Sequence, residues 1–301
     1  WFDKLWKEIP MASETGSKLN RLQKLVPEGL LVDAAWLDAE GYTHPLRQKY
    51  VASGWLTMPV RGVYQRPAAS DAQKGRLDWR LVILSMQTLM KMPVTVGGRT
   101  ALELQGLAHY LPQGRESDLH LYASARLPGW LDKLPLNTRL VAHKHARLFK
   151  DISGDVHQFK RNVVTNESLS PELPGGEGLM LQLWGHWNWP LTISTPERAA
   201  LELMDELPDR ESFAHVDDLM GGLANLSPRR VQRLLEACHS IKAKRLFLFM
   251  ADRHNHAWFR RLDVSRIDLG AGKRSIVEGG RYDPKYRITV PETLVSSADD
   301  V

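Results

Sequence analysis

The chain of 301 residues contains one cysteine, Cys238. That scarcity excludes an intramolecular disulfide and a thiolate zinc cluster within one chain, and it fits a reducing, cytoplasmic setting. Cys238 itself falls on an apolar helical face, where an inert thiol is expected. No run reaches the roughly eighteen apolar residues of a membrane span, and the opening residues lack a signal-like pattern. A membrane partner is therefore not expected. Net charge is also small, +5 from 40 Lys and Arg against 35 Asp and Glu. What is present, 43% hydrophobic and 25% charged residues, suits a globular protein with a substantial core, and the length suggests about two domains.

The small net charge conceals an uneven distribution. Arg229 to Arg287 holds 15 Lys or Arg against 6 Asp or Glu, a local +9, while the remainder sums to −4. Such asymmetry points to a polyanionic partner, either nucleic acid or an acidic protein face. The opening WFDKLWKEIP (1–10) is set aside as an extension or tag.

From residue 11 the pattern reads as three short helices and a ribbon. Leu19, Leu22, Leu25 and Val26 make one apolar face, with Ser17 as its cap. Val32, Ala35, Trp36 and Ala39 make a second, closed at Gly41. Thr43 and Pro45 open a third helix, with Leu46 and Tyr50 inward and Gly54 at its end. Trp55 to Val60 and Val63 to Arg66 then form two strands turned at Arg61-Gly62, where glycine accepts positive φ. Residues 11–67 thus predict a winged helix-turn-helix. In such a module the third helix enters the major groove and the wing follows the backbone. Arg47 and Gln48 carry donors suited to base edges; Lys49, Arg61 and Arg66 suit phosphates. With seven positive against five negative residues, a module that contacts only protein stays an alternative.

PAASDAQKG marks an interdomain linker, taken as 68–75, and 76–301 is read as one larger mixed domain, divisible at 190/191. The fold class is α+β. Leu77 to Met92 predicts a helix, VTVGGRTALELQGLAHYL a strand, glycine turn and helix, and SDLHLYA another strand. This order is similar to nucleotidyltransferases, whose Asp-x-Asp pair holds the Mg²⁺ of a nucleotide triphosphate. Here the positions read Asp118-Leu119-His120, so one carboxylate is missing and no enzyme is expected. The pairs His143/His145 and His254/His256 lack a carboxylate or thiolate at recognisable ligand spacing, so neither metal nor cofactor is expected. Gly270-Ala271-Gly272-Lys273-Arg274 lacks P-loop spacing but offers backbone N–H groups and two cations to an anion. Trp184, Trp187 and Trp189 are assigned to packing.

The remaining stretch reads as helices. Ser194 and Glu197 suggest a capping box. Ser227 opens a helix with Arg229 and Arg230 in its first turn, where the macrodipole disfavours cations. That placement motivates the expectation that Arg229, Arg230 and Arg233 face an external anion. RLFLFM and AWFRRL read as a hairpin around ADRHNH.

Taken together, LRQKYVASGWLTMPVRGVYQRP, STPERAALELMDEL, SIKAKRLFLFM and LGAGKRSIVEGGRYDPKYRITVP resemble the AbiEi-like antitoxins of type IV toxin–antitoxin (abortive-infection) systems. The resemblance implies a winged helix that binds inverted repeats in double-stranded DNA upstream of its operon and represses transcription. It also implies a C-terminal domain that counters a nucleotidyltransferase-like toxin without a stable complex. Carried over, the DNA role falls on Thr43, His44, Arg47, Gln48, Lys49, Arg61 and Arg66. A cationic face for DNA or neutralisation falls on Lys242, Lys244, Arg245, Lys273 and Arg274. A stand-alone winged-helix regulator and an active nucleotidyltransferase are the rival readings.

Overall fold

The computed structural model describes residues 11–68, 77–108, 118–149, 178–185 and 188–295, with side chains from residue 18 onward. The chain divides into two compact units, Trp1–Met92 with Leu127–Asn137, and Pro93–Arg126 with Thr138–Val301.

The first unit is built in the order α1 (Met11–Leu25), β1 (Leu31–Asp33), α2 (Ala34–Ala39), α3 (His44–Ala52), β2 (Thr57–Val60) and β3 (Val63–Gln65). The three strands form an antiparallel sheet in the order β1-β3-β2, which is the winged helix-turn-helix topology. Two details differ from the sequence reading. α1 starts at Met11, so Ser17 lies within it rather than capping it. Leu31–Asp33 pairs as a strand before the second helix, so Val32 belongs to the sheet and Asp33 is the cap, its Oδ1 accepting from Trp36 N at 2.8 Å. Gly41, Gly54 and Gly62 all take positive φ, closing α2, α3 and the wing turn. Leu22, Val26, Leu31, Leu37, Tyr50, Leu56 and Val63 are buried between the helices and the sheet.

The compact unit continues beyond the ribbon. In helix α4 (Trp79–Thr88), Val82, Ile83, Leu84 and Met86 are buried. Ser85 Oγ accepts from Leu31 N at 3.0 Å, and Leu89 O accepts from the Trp36 indole at 2.9 Å. The apolar helix read as opening the larger domain is therefore a fourth helix of the winged-helix unit. Most of the expected linker, 69–75, lies outside the described residues.

The second unit has a mixed five-stranded sheet: β4 (Val94–Val96), β5 (Leu119–Ala123), β6 (Leu140–Lys144), β7 (Leu179–Trp184) and β8 (Trp189–Ser194), in the order β6-β5-β4-β8-β7. β5/β6 and β4/β8 are parallel pairs; β4/β5 and β7/β8 are antiparallel. Helix α5 (Gly98–Leu104) follows the Gly97 turn, and α6 (Pro196–Glu206) packs against α5. Helices α7 (Phe213–Gly222), α8 (Pro228–Ala237) and α9 (Ile241–Arg253) gather around α6. A hairpin of β9 (Arg281–Asp283) and β10 (Ile288–Val290) follows, and a short 3-10 turn at Glu292–Leu294 comes after it. The whole is α+β, and among the described residues no helix is long and apolar enough to cross a membrane.

The expected hairpin RLFLFM/AWFRRL is instead α9 and the turns after it. Leu246 to Ala251 are all buried, so the run shows no amphipathic period, and sequence alone cannot separate such a helix from a buried strand. The predicted capping box also fails. The N-cap of α6 is Thr195; Ser194 Oγ instead donates to Glu202 at 3.0 Å, while Glu197 accepts from Ser227 N at 2.9 Å.

Candidate nucleic-acid interface and the polar centre of the second unit

Helix α3 turns four side chains outward. Thr43, His44, Gln48 and Lys49 are exposed, and so is Arg61 at the wing turn. His44 and Gln48 approach to 3.5 Å, one helical turn apart. The four at α3 form a polar edge, and with Arg61 on the wing turn they offer one side-chain amide, one imidazole, one ammonium and one guanidinium free of internal ion pairs among the described residues. Trp55 and Met58, at the base of the wing, are 47% and 41% exposed.

Arg47 is not on that edge. It is 5% exposed, three residues before buried Tyr50 and on the same helical face. Its Nη1 pairs with Asp38 at 2.7 Å and donates to Ala34 O at 2.9 Å, and its guanidinium sits 5.6 Å from the Tyr64 ring centre. The base-reading role expected for Arg47 gives way to a clamp between α2, α3 and the sheet. Arg66 is corrected likewise. It donates to Gln23 O at 2.6 Å and Val26 O at 3.2 Å and pairs with Glu28, satisfying carbonyls at the end of α1.

The expected C-terminal cationic face splits in the same way. Lys242 Nζ donates to Asp205 O and Leu207 O at 2.6 and 2.5 Å, and Lys244 is buried. Arg245, 1% exposed, donates to the carbonyls of Leu269, Gly270, Ala271, Gly272 and Arg287. The glycine loop 270–274 thus directs carbonyl groups at an internal cation; its Gly270 N–H is taken by Asp268. Arg230 does face an anion, but an internal one: both Glu197 oxygens accept from it, at 2.9 and 3.0 Å. Arg229, Arg233, Lys273 and Arg274 are exposed, with Lys273 4.7 Å from the Tyr282 ring centre.

At the glycine turn and the strand carrying Asp118, the second unit engages the polar atoms with its own groups. Gly98 N donates to Glu202 Oε2 at 2.8 Å, so an internal carboxylate occupies the turn amide. A Cβ on Gly97 would run into that carboxylate and the Tyr122 ring. Asp118 is engaged by Arg139 through both oxygens, and that hydrogen bond holds its carboxyl below the usual carboxylate range.

His120 takes the second acidic position, and its partner was not legible from spacing. Pairing of β5 with β6 brings His143 beside it rather than beside His145, with His120 Nδ1 and His143 Nε2 3.1 Å apart. Glu206, the last residue of α6, places Oε1 3.1 Å from His143 Nδ1. Burial lowers the pKa of His120 to about 4 and that of His143 to about 3, so both rings are neutral at physiological pH. Burial also raises the Glu206 carboxyl. His254 and His256 are internal by contrast, the first on Asp217 at 2.7 Å and the second on Met220 O at 2.7 Å. Trp184 and Trp189 face each other across β7/β8 and are only half-buried; Trp187 lies outside the described residues.

Residues 183–291 match the family model described as transcriptional regulator, AbiEi antitoxin, type IV TA system. Residues 15–113 match that of the AbiEi antitoxin N-terminal domain, which extends well past the wing. In fold, the chain is similar to the crystal structure of the Rv2827c protein from Mycobacterium tuberculosis, with TM-score 0.53 and 14% identity over 93% of this chain and 92% of that one. No curated protein matches. With both family models covering more than half of the sequence, the chain belongs to the AbiEi antitoxins, transcriptional regulators of type IV toxin–antitoxin systems.

Proposed function

We propose that this antitoxin is an autorepressor: its winged helix binds inverted repeats in the double-stranded DNA upstream of its own operon. Within the module, Gln48 and His44 face base edges, Thr43 and Lys49 the adjacent backbone, and Arg61 a phosphate beside the wing. The observation that carries this reading is the separation on α3. Arg47 and Tyr50 are buried within the module, the polar residues left outside line the exposed edge of α3, and Arg61 is exposed on the glycine-turned wing. That edge supplies the hydrogen-bond donors and cations that a helix in the major groove requires.

The second unit counters a nucleotidyltransferase-like toxin without a stable complex and is not itself a catalyst. The Gly98 amide taken by Glu202 and the Asp118 carboxylate taken by Arg139 support the non-catalytic part of this reading. Of the expected cationic positions, Arg229, Lys273 and Arg274 are exposed and are assigned to a polyanion or to neutralisation. DNase footprinting of the full chain on the upstream region tests the repressor role: two protected half-sites support it, and no protection refutes it. Growth rescue on co-expression with the neighbouring gene tests the antitoxin role; a winged-helix regulator without a toxin partner would give none.

A further inference from the structure

We propose that Trp55 and Met58 form an apolar contact surface for duplex DNA, packing on the deoxyribose carbons that lie between phosphates. This contact rests on the repressor reading of the first unit and extends it to two residues outside α3 and the wing turn. Among the described residues, Trp55 and Met58 are the most exposed large apolar side chains, and they stand three positions apart at the base of the wing.

Local structure sets both positions. α3 closes with Gly54 N donating to Val51 O at 3.1 Å and Trp55 N donating to Tyr50 O at 2.9 Å, with Gly54 at φ 74°. In this Schellman ending, an apolar residue at the position of Trp55 ordinarily packs back on the helix. Trp55 instead keeps 47% of its surface outside, while its backbone is tied to the end of the helix that carries His44, Gln48 and Lys49. Met58 sits where the pairing of β2 with β3 shifts register, between Thr57 and Val60. Such a bulge sets two residues against one and re-aims a side chain relative to strict alternation.

Charge selects the occupant. From Gly41 to Ser70 the sequence holds no Asp or Glu, yet it includes Arg47, Lys49, Arg61 and Arg66. Arg47 and Arg66 are engaged by internal partners, whereas Lys49 and Arg61 are exposed and flank the apolar pair in sequence. An apolar pair between cations, in a stretch without carboxylates, matches a polymer whose sugars alternate with phosphates. A second copy of the chain would set the same cations against each other. Pro59 also removes an N–H from β2, the outer strand of its sheet, which makes that edge a poor template for pairing with another chain. The indole loses little conformational freedom when ordered, and the thioether adapts to an irregular groove wall.

The test measures binding of the full chain to upstream DNA by fluorescence anisotropy over a range of salt. Burying a large apolar side chain favours binding by about tenfold or more. Trp55→Ala should weaken binding by about that factor and Met58→Ala severalfold, with melting temperature unchanged, and Trp55→Phe should retain most of the affinity. An apolar contact releases no counterions, so the slope of log affinity against log salt should keep its wild-type value. Sugars are the same in every sequence, so the ratio of upstream to random-sequence affinity should also hold. No binding by the wild-type chain refutes the repressor reading and this contact with it. Wild-type binding that is undiminished in a folded Trp55→Ala/Met58→Ala variant refutes this contact alone. A wild-type dimer in sedimentation that the double variant loses also refutes it, by making the pair an interface between copies.

Discussion

Helix α3 in the first unit and helix α9 in the second carry similar cationic sequences, HPLRQKYVA and IKAKRLFLFMADR, and use them in opposite ways. α3 buries one cation, Arg47, and leaves Lys49 with Gln48 and His44 outside. α9 turns Lys242, Lys244 and Arg245 toward the protein's own carbonyls and buried surfaces, and none is a free surface charge. A local excess of Lys and Arg therefore does not mark a surface. A guanidinium has five donors in a fixed fork, so one arginine can satisfy several carbonyls of an irregular loop that lacks regular backbone pairing. Arg245 does this for the loop 269–272, and Arg66 for the end of α1.

The sharpest way to break this contrast is Arg245→Met. It removes a buried charge on which four consecutive loop carbonyls and Arg287 O depend. A stability loss of about 3–5 kcal/mol is expected, from removal of one member of a buried charge-assisted network. Chemical denaturation would read it, and a change below the scatter of surface mutants would place Arg245 outside. Arg47→Met should cost less, about 1–3 kcal/mol, for one hydrogen bond and one half-exposed ion pair. DNA preference measured on the folded fraction should be unchanged; relaxed base preference at one position would return Arg47 to the groove. Lys49→Ala should leave stability intact and reduce the slope of log affinity against log salt by about 0.9, one phosphate's worth.

A smaller effect comes from pH, through an internal histidine of the second unit. His256 is buried, with its ring on Met220 O, and burial lowers its pKa from the usual value of about 6.5. The unfolded chain then takes up its proton first as pH falls. The stability held by neutral His256 is complete above about pH 6.5 and declines as pH drops toward the folded value. In His256→Gln this part of the decline should vanish, and an unchanged melting profile between pH 7 and 5 would show that His256 titrates normally.

The winged helix was legible because its signals are local. Pro45, Gly41, Gly54 and Gly62 punctuate short apolar spacings, and the ribbon follows at the expected distance. The interior position of Arg47 was also written in the sequence, three residues before Tyr50, but a charged residue there reads as outward until Asp38 and Ala34 O are seen beneath it. α9 was illegible for the opposite reason: its run Leu246 to Ala251 is apolar on every side and has no period to read. The His120–His143–Glu206 cluster depends on the parallel register of β5 with β6 and on where α6 ends, and no spacing along the chain encodes either. Asp118-Leu119-His120 pointed to the right strand but not to its partners.

The central claim is that α3 grips DNA with the residues it leaves outside while Arg47 holds the helix in place. The most direct measurement compares the Gln48→Ala/Lys49→Ala double variant with wild type in binding to upstream operon DNA, at matched melting temperature. The account predicts at least about a tenfold loss of affinity, since a base-edge contact alone is worth about 1–3 kcal/mol. Unchanged affinity in a fully folded double variant would contradict it.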